Sequence, residues 1–163
     1  MTLDGSGIVL ASNSASRKAM LEAAGIAFTA RGADIDERAL ENEMDGAEPA
    51  EIAQALAAAK AAAVSSALPD DLVLGSDSLV EVDGRRFDKP ASRADAADHL
   101  RAFSGKVMTL HSAAALARGS QILWIGSDFA RLRVRELSAA FIEAYLDAEW
   151  PAVSYCVGVF RIE

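Results

Sequence analysis

Asp77 stands in Val73-Leu74-Gly75-Ser76-Asp77-Ser78-Leu79-Val80, a stretch that otherwise reads as buried β-strand. An ionised carboxylate in such a strand costs on the order of several kcal/mol unless a metal, a cation or several hydrogen bonds meet it. Three upstream features could supply those partners. The short apolar strand Ile8 to Ala11 runs through Ser12-Asn13-Ser14 into a helical stretch whose first turn carries Arg17 and Lys18. A helix N-terminus prefers an anion, so these are either two solvated charges on an exposed turn or part of a site for an incoming phosphate. The acidic run Asp34-Ile35-Asp36-Glu37-Arg38 is either a solvated loop or the first turn of a helix. Lys60 falls about 40° around an alanine-rich helix from Leu56, inside the sector of Ile52, Leu56, Ala59 and Ala63. Its ammonium either snorkels to the surface or points at an anion held against the sheet.

The elements that must position these residues follow from periodicity and punctuation. Ser14 is the expected N-cap of the first helix and Gly25 its stop, with Met20, Leu21 and Ala24 on one face. Ala27 to Ala30 reads as a strand, and Gly46-Ala47-Glu48-Pro49 opens the long helix that carries Lys60 and ends near Leu68-Pro69. In the strand Leu72 to Val82, Gly75, Asp77, Leu79 and Glu81 share a face, and Gly75 is expected to leave open space beside Asp77. Asp83-Gly84 signals a hairpin into Arg85-Arg86-Phe87. Asp88-Lys89-Pro90 then precedes a helix over Arg93 to Phe103, on which His99 reads as a surface residue. A strand from Val107 to Leu116 turns at Gly119-Ser120 into another from Ile122 to Leu137, where Arg131, Arg133 and Arg135 alternate with Leu132 and Val134. Ser138 caps a last helix through Phe141, Ile142, Tyr145 and Leu146.

Composition bounds the function. With 163 residues and 52% hydrophobic content the chain can bury one sizeable core, in one domain or one domain with two lobes. A net charge of -8 argues against a partner that is a nucleic acid polymer. The single cysteine, Cys156, excludes an internal disulfide framework. No apolar run approaches the roughly 20 residues of a membrane span, and no charged-then-apolar leader opens the chain. The expectation is a soluble cytoplasmic protein without a membrane partner. His99 and His111 are too few for a Cys/His zinc site, so a metal would take carboxylate ligands, which suits magnesium or manganese. Neither the dinucleotide fingerprint nor the P-loop occurs.

The order of these features resembles the Maf family of nucleoside triphosphate pyrophosphatases. Its opening L-A-S-x-S-P-R-R stands as Leu10-Ala11-Ser12-Asn13-Ser14-Ala15-Ser16-Arg17, its G-A-D or G-S-D as Gly75-Ser76-Asp77, its G-K-P as Asp88-Lys89-Pro90, and its S-G as Ser104-Gly105. The resemblance implies an α/β fold, a mixed twisted sheet flanked by helices in two lobes around a central cleft, as in the inosine triphosphatases. It implies hydrolysis of the α–β phosphate bond of a nucleoside triphosphate, a divalent metal cation (Mg or Mn), and a homodimer. Carried over position by position, Asp77 would be the general base, Glu37 and Asp77 the metal ligands, and Ser12, Ser14, Arg17, Lys60 and Lys89 the phosphate contacts. Phosphoryl transfer asks for this equipment: cations around the phosphates and a carboxylate beside the attacking water.

Three positions that separate the family's substrate subgroups depart from its usual residues: Ser16, Ser78 and Glu163. The lost first arginine, the Gly-Ser-Asp form and the ending Cys156 to Glu163 lean toward the 7-methyl-GTP type, while Ser16 and Ser78 fit neither subgroup. The base is therefore unassigned. Family members usually continue past the position of Glu163, so residues 1–163 read as a single Maf-like domain lacking the usual end, which would expose a sheet edge. A nucleotide-binding regulatory protein of the same fold is the alternative, and a domain in which Arg17, Lys60 and Asp77 form only a buried ion network is a third reading.

Overall fold

The computed structural model describes residues 7–161. The elements are β1 (Ile8–Leu10), α1 (Ala15–Ala23), β2 (Phe28–Ala30), α2 (Glu37–Glu43), α3 (Pro49–Ala67), β3 (Val73–Val82), β4 (Arg85–Phe87), α4 (Arg93–Phe103), β5 (Val107–Arg118), β6 (Gln121–Arg133) and α5 (Ala139–Glu149). The strands form one mixed sheet in the order β2-β1-β3-β5-β6, with β4 paired to β3. The fold class is therefore α/β, as expected. No helix among the described residues is long and apolar enough to cross a membrane.

The chain divides into two compact units. The first holds the described residues up to Asp77 together with Ser112–Asp128, and the second holds Ser78–His111 and the residues from Phe129 onward. In the first unit β1 lies parallel to both β2 and β3, pairing Val9 with Thr29 on one side and with Val73 on the other. Parallel pairs need crossovers, and helices supply them here. The longest, α3, starts with proline at its first turn and with a reciprocal capping box between Glu48 and Glu51. It buries Ile52, Ala53, Leu56, Ala57, Lys60, Ala61, Val64 and Ser65, a stripe repeating every four residues. Val64 packs with Val9, Ala11 and Val73. Ser65 Oγ accepts the N–H of Ser120 at 3.0 Å, which pins the β5–β6 turn to α3.

Gly75 differs from expectation. No open space lies beside it: a Cβ there would collide with the Ala57 carbonyl oxygen and stand 2.7 Å from the Ala61 nitrogen and 2.9 Å from its Cβ. The glycine exists so that the backbone of α3 can lie against β3, and the alanines of α3 permit the same approach from the other side. The short helix α1 also departs from expectation, since none of its residues is buried and Met20 is 63% exposed. It is held by its capping serine, not by an apolar face.

The second unit has its own core of Val80, Val82, Phe87, Leu100, Phe103, Met108, Ile142 and Leu146. Ser92 caps α4, and Ser138 caps α5 as the sequence suggests. Arg93 on α4 reaches Glu143 at 2.9 Å and Asp147 at 2.6 Å on α5. His99 is not a plain surface residue: its ring lies edge-on to Phe87 at 5.1 Å. β6 ends at Arg133, short of Leu137, and the apolar ending forms two short 3-10 turns, Ala152–Tyr155 and Val157–Val159.

The buried positions change face part-way along β3 and β5. On β3 the buried residues are Val73, Gly75, Asp77 and Leu79 on one alternation and then Val80 and Val82 on the other, the last two belonging to the second unit's core. On β5 the first unit buries Ala113, Ala115 and Ala117, while the second takes Met108. A strand that changes its buried face part-way does not show clean alternation in its sequence.

Candidate active site

Every contact of the candidate site lies within the first unit, where the loop after β1, the helices α1, α2 and α3, and the strand β3 contribute its groups. β1 delivers the chain directly into Ser12, which is buried. The Ser12 hydroxyl accepts the Ser14 N–H at 3.1 Å and a guanidinium N–H of Arg17 at 3.3 Å. Ser14 caps α1 by accepting the Arg17 N–H at 3.5 Å, and its hydroxyl lies 3.0 Å from that of Ser16. The cap and the Ser12 bond together fold Arg17 back over the loop, which is why a cation can sit at the positive end of a helix.

Asp36 caps α2 by accepting the Ala39 N–H at 2.9 Å, so the acidic run is a first helical turn and Glu37 opens it. From α3, the Lys60 ammonium lies 2.7 Å from Asp77 Oδ1 and 3.0 Å from Glu37 Oε2. The Lys60 and Asp77 side chains are only 9% and 8% exposed, while Glu37 is 49% exposed. Asp77 is thus the anion toward which the inward lysine points. Of the alternatives the sequence left open, the inward one holds.

Burial dominates the titration of Asp77 and Arg17. It pushes the Asp77 carboxyl above the ordinary aspartate value, and Lys60 and Arg17 only partly oppose it, with Glu37 adding to the rise. For Arg17, burial lowers the guanidinium pKa against the pull of Asp77 and Glu37. A lysine neighbour alone therefore does not keep Asp77 at ease as an anion, because desolvation outweighs the pair. A carboxylate held at elevated proton affinity, with cations beside it, has the properties of a general base next to an anionic substrate.

A family model described as Maf-like protein matches residues 7–163. The chain belongs to the Maf-like family. It is 43% identical over 156 residues to a nucleoside triphosphate pyrophosphatase of Nitrobacter winogradskyi, covering 96% of this chain and 77% of the relative. It is 42% identical over 158 residues to a 7-methyl-GTP pyrophosphatase of Rhizobium meliloti, covering 96% and 79%. Among solved structures, a HAM1 protein from Coxiella burnetii aligns with a TM-score of 0.50 at 19% identity, over 77% of this chain and 71% of that one, a likeness of fold.

In this Maf-like chain the structure brings together Ser12, Ser14, Arg17, Glu37, Lys60 and Asp77. Ser16 joins at the margin through Ser14. Ser78 follows Asp77 on β3 and belongs to the second unit, as does Lys89, exposed on the loop after β4. Glu163 lies outside the described residues. Sequence reasoning missed that Glu37 and Asp77 share one lysine. The available signal was Asp36, an N-capping residue type that favours the helix-turn alternative already open for Asp34 to Arg38.

As ligands for a metal, Glu37 and Asp77 are two carboxylates of the hard-oxygen type that magnesium takes. No group of three or more His, Cys, Asp or Glu able to hold a metal occurs among the described residues. The pair fits a magnesium or manganese ion that completes its shell with water and phosphate oxygens, and not one caged by protein alone.

Proposed function

We propose that this chain is a nucleoside triphosphate pyrophosphatase that hydrolyses the α–β phosphate bond to a nucleoside monophosphate and pyrophosphate. The observation that carries the reading is the buried contact of Asp77 with Lys60, joined to the Ser12–Arg17 pair of the same unit. Asp77 accepts a proton from water as the water oxygen forms its bond to the α-phosphorus. The bond from that phosphorus to the α–β bridging oxygen breaks, and the electron pair leaves with pyrophosphate. Arg17 and Lys60 offset the charge that develops on the phosphate oxygens, and Ser12 and Ser14 orient them. Lys89 is the further phosphate contact, assigned from its Asp-Lys-Pro motif. A divalent ion, magnesium or manganese held by Glu37 and Asp77, supplies additional neutralisation of the phosphates when bound.

The substrate proposed is of the 7-methyl-GTP type, supported by the Gly-Ser-Asp form, the absence of the first arginine and the similarity to the Rhizobium relative, with Ser16, Ser78 and Glu163 as selecting residues. A homodimer in the cytoplasm is proposed as the working form. Its support is β6, the terminal strand of the sheet path, which exposes Ile122, Leu123, Trp124 and Ile125.

The test is a panel of canonical and methylated nucleoside triphosphates with magnesium or manganese, assayed for pyrophosphate and repeated with Asp77→Asn. Release by the natural chain and its loss in the variant is the expected result. Equal rates would remove Asp77 from catalysis, and binding without release would favour a regulatory protein of this fold.

A further inference from the structure

We infer that Lys60 holds the place of a cation between Glu37 and Asp77 in the free protein, so that a divalent metal enters this site only together with a nucleotide's phosphates. The inference rests on the phosphate-site reading above and concerns the order of events there. Three observations carry it. The ammonium already makes close contact with both proposed metal ligands, at 2.7 and 3.0 Å. The cluster is also charge-balanced as it stands, since Lys60 and Arg17 answer the carboxylates of Glu37 and Asp77. A dication added beside the buried Asp77 and Lys60 would leave two positive charges without counter-ions, which a low-dielectric site resists. A triphosphate brings the missing negative charge. Finally, two carboxylates are too few for a six-coordinate ion, and no group of three or more candidate ligands occurs among the described residues. The remaining oxygens must come from water and phosphate.

The two carboxylates are not equivalent in this scheme. Asp77 is fixed in β3 and buried, whereas Glu37 is half-exposed at the start of a seven-residue helix. Glu37 is therefore the group that exchanges Lys60 for the metal when the nucleotide arrives, and Lys60 turns its released charge to the phosphates. By linkage, the factor by which nucleotide tightens metal binding equals the factor by which metal tightens nucleotide binding.

The experiment titrates the full chain with Mn2+ and follows the free-ion signal by electron paramagnetic resonance, with and without α,β-methylene analogues of 7-methyl-GTP and dTTP. These analogues cannot be cleaved at the α–β position. The expected result is no stoichiometric binding to the free protein at micromolar Mn2+ and at least about a tenfold tightening with an analogue present. Lys60→Met, which leaves the two carboxylates without their ammonium, should bind Mn2+ at least about tenfold more tightly than the natural chain when both are nucleotide-free. If that variant does not fold, the titrations of the natural chain decide alone. One Mn2+ bound at micromolar concentration by the free protein, with no gain from either analogue that binds, would overturn the inference and leave the pyrophosphatase reading standing. Failure of both analogues to bind under any metal condition would instead remove the pyrophosphatase reading and this inference with it.

Discussion

Asp77 is costly to the fold, and the proposed reaction depends on it. Because burial raises its pKa, the folded state holds the proton more tightly than the unfolded chain does. Below the ordinary aspartate value both states are protonated. As pH rises from there through the higher folded value, the unfolded chain loses its proton first, so stability falls across that window. Asp77→Asn mimics the neutral acid and leaves Lys60 its contact with Glu37. At pH 7 it should unfold at no lower temperature than the natural chain while pyrophosphate release drops by about 10²- to 10⁴-fold. Calorimetry beside the release assay reads both, and a large loss of stability would show that the ion pair chiefly holds the fold. The acid limb of kcat/KM should correspondingly lie above the pH expected of an unperturbed aspartate, measured on the best substrate of the panel. Lys60→Met should do the opposite to stability, lowering it by about 3–5 kcal/mol in urea titrations, because a buried carboxylate loses its partner. That Asp77 needed a partner was legible in the sequence, as was the inward lysine. That Lys60 would be shared with Glu37 was not, because the sharing depends on where α2 begins.

At the scale of elements, the site is accurate because α3 lies backbone-to-backbone on β3. Gly75→Ala would place a methyl group where the Ala57 carbonyl oxygen stands. We expect it to lose about 1–3 kcal/mol or more and to lower activity, since α3 carries Lys60 and must move to make room. Ser92→Ala is the control: it removes a cap from α4 in the second unit and should cost about 1 kcal/mol with release unchanged. The sequence pattern located β3 and α3 closely, but Gly75 read as spare room. An isolated glycine in a strand marks close approach as often as emptiness, and only the helix opposite tells which. The change of buried face along β3 and β5 was hidden for a related reason. Each half alternates correctly by itself, and the break becomes visible only when two cores are known to share the strand.

For the molecule as a whole, β6 sets the main question. Its exposed Leu123 and Trp124, each 53% accessible, lie on the last strand of the sheet path. If two copies associate there, Trp124→Lys should shift sedimentation from dimer to monomer. A natural chain that sediments as a monomer would set the homodimer aside. The net charge of -8 does not oppose a small anion, because Ser12, Arg17 and Lys60 supply local attraction.

The sequence by itself determined most of the elements and the family, because these depend on period, capping and motif order, all local along the chain. It also exposed Asp77 as a residue that required partners. Tertiary structure alone decided who those partners are, how deeply the group is buried, and that burial outweighs the neighbouring cations in setting its proton affinity. Desolvation and charge pairing are properties of three-dimensional neighbourhoods, and residues as far apart in the chain as Arg17, Glu37, Lys60 and Asp77 become neighbours only when α2 and α3 have closed over β3.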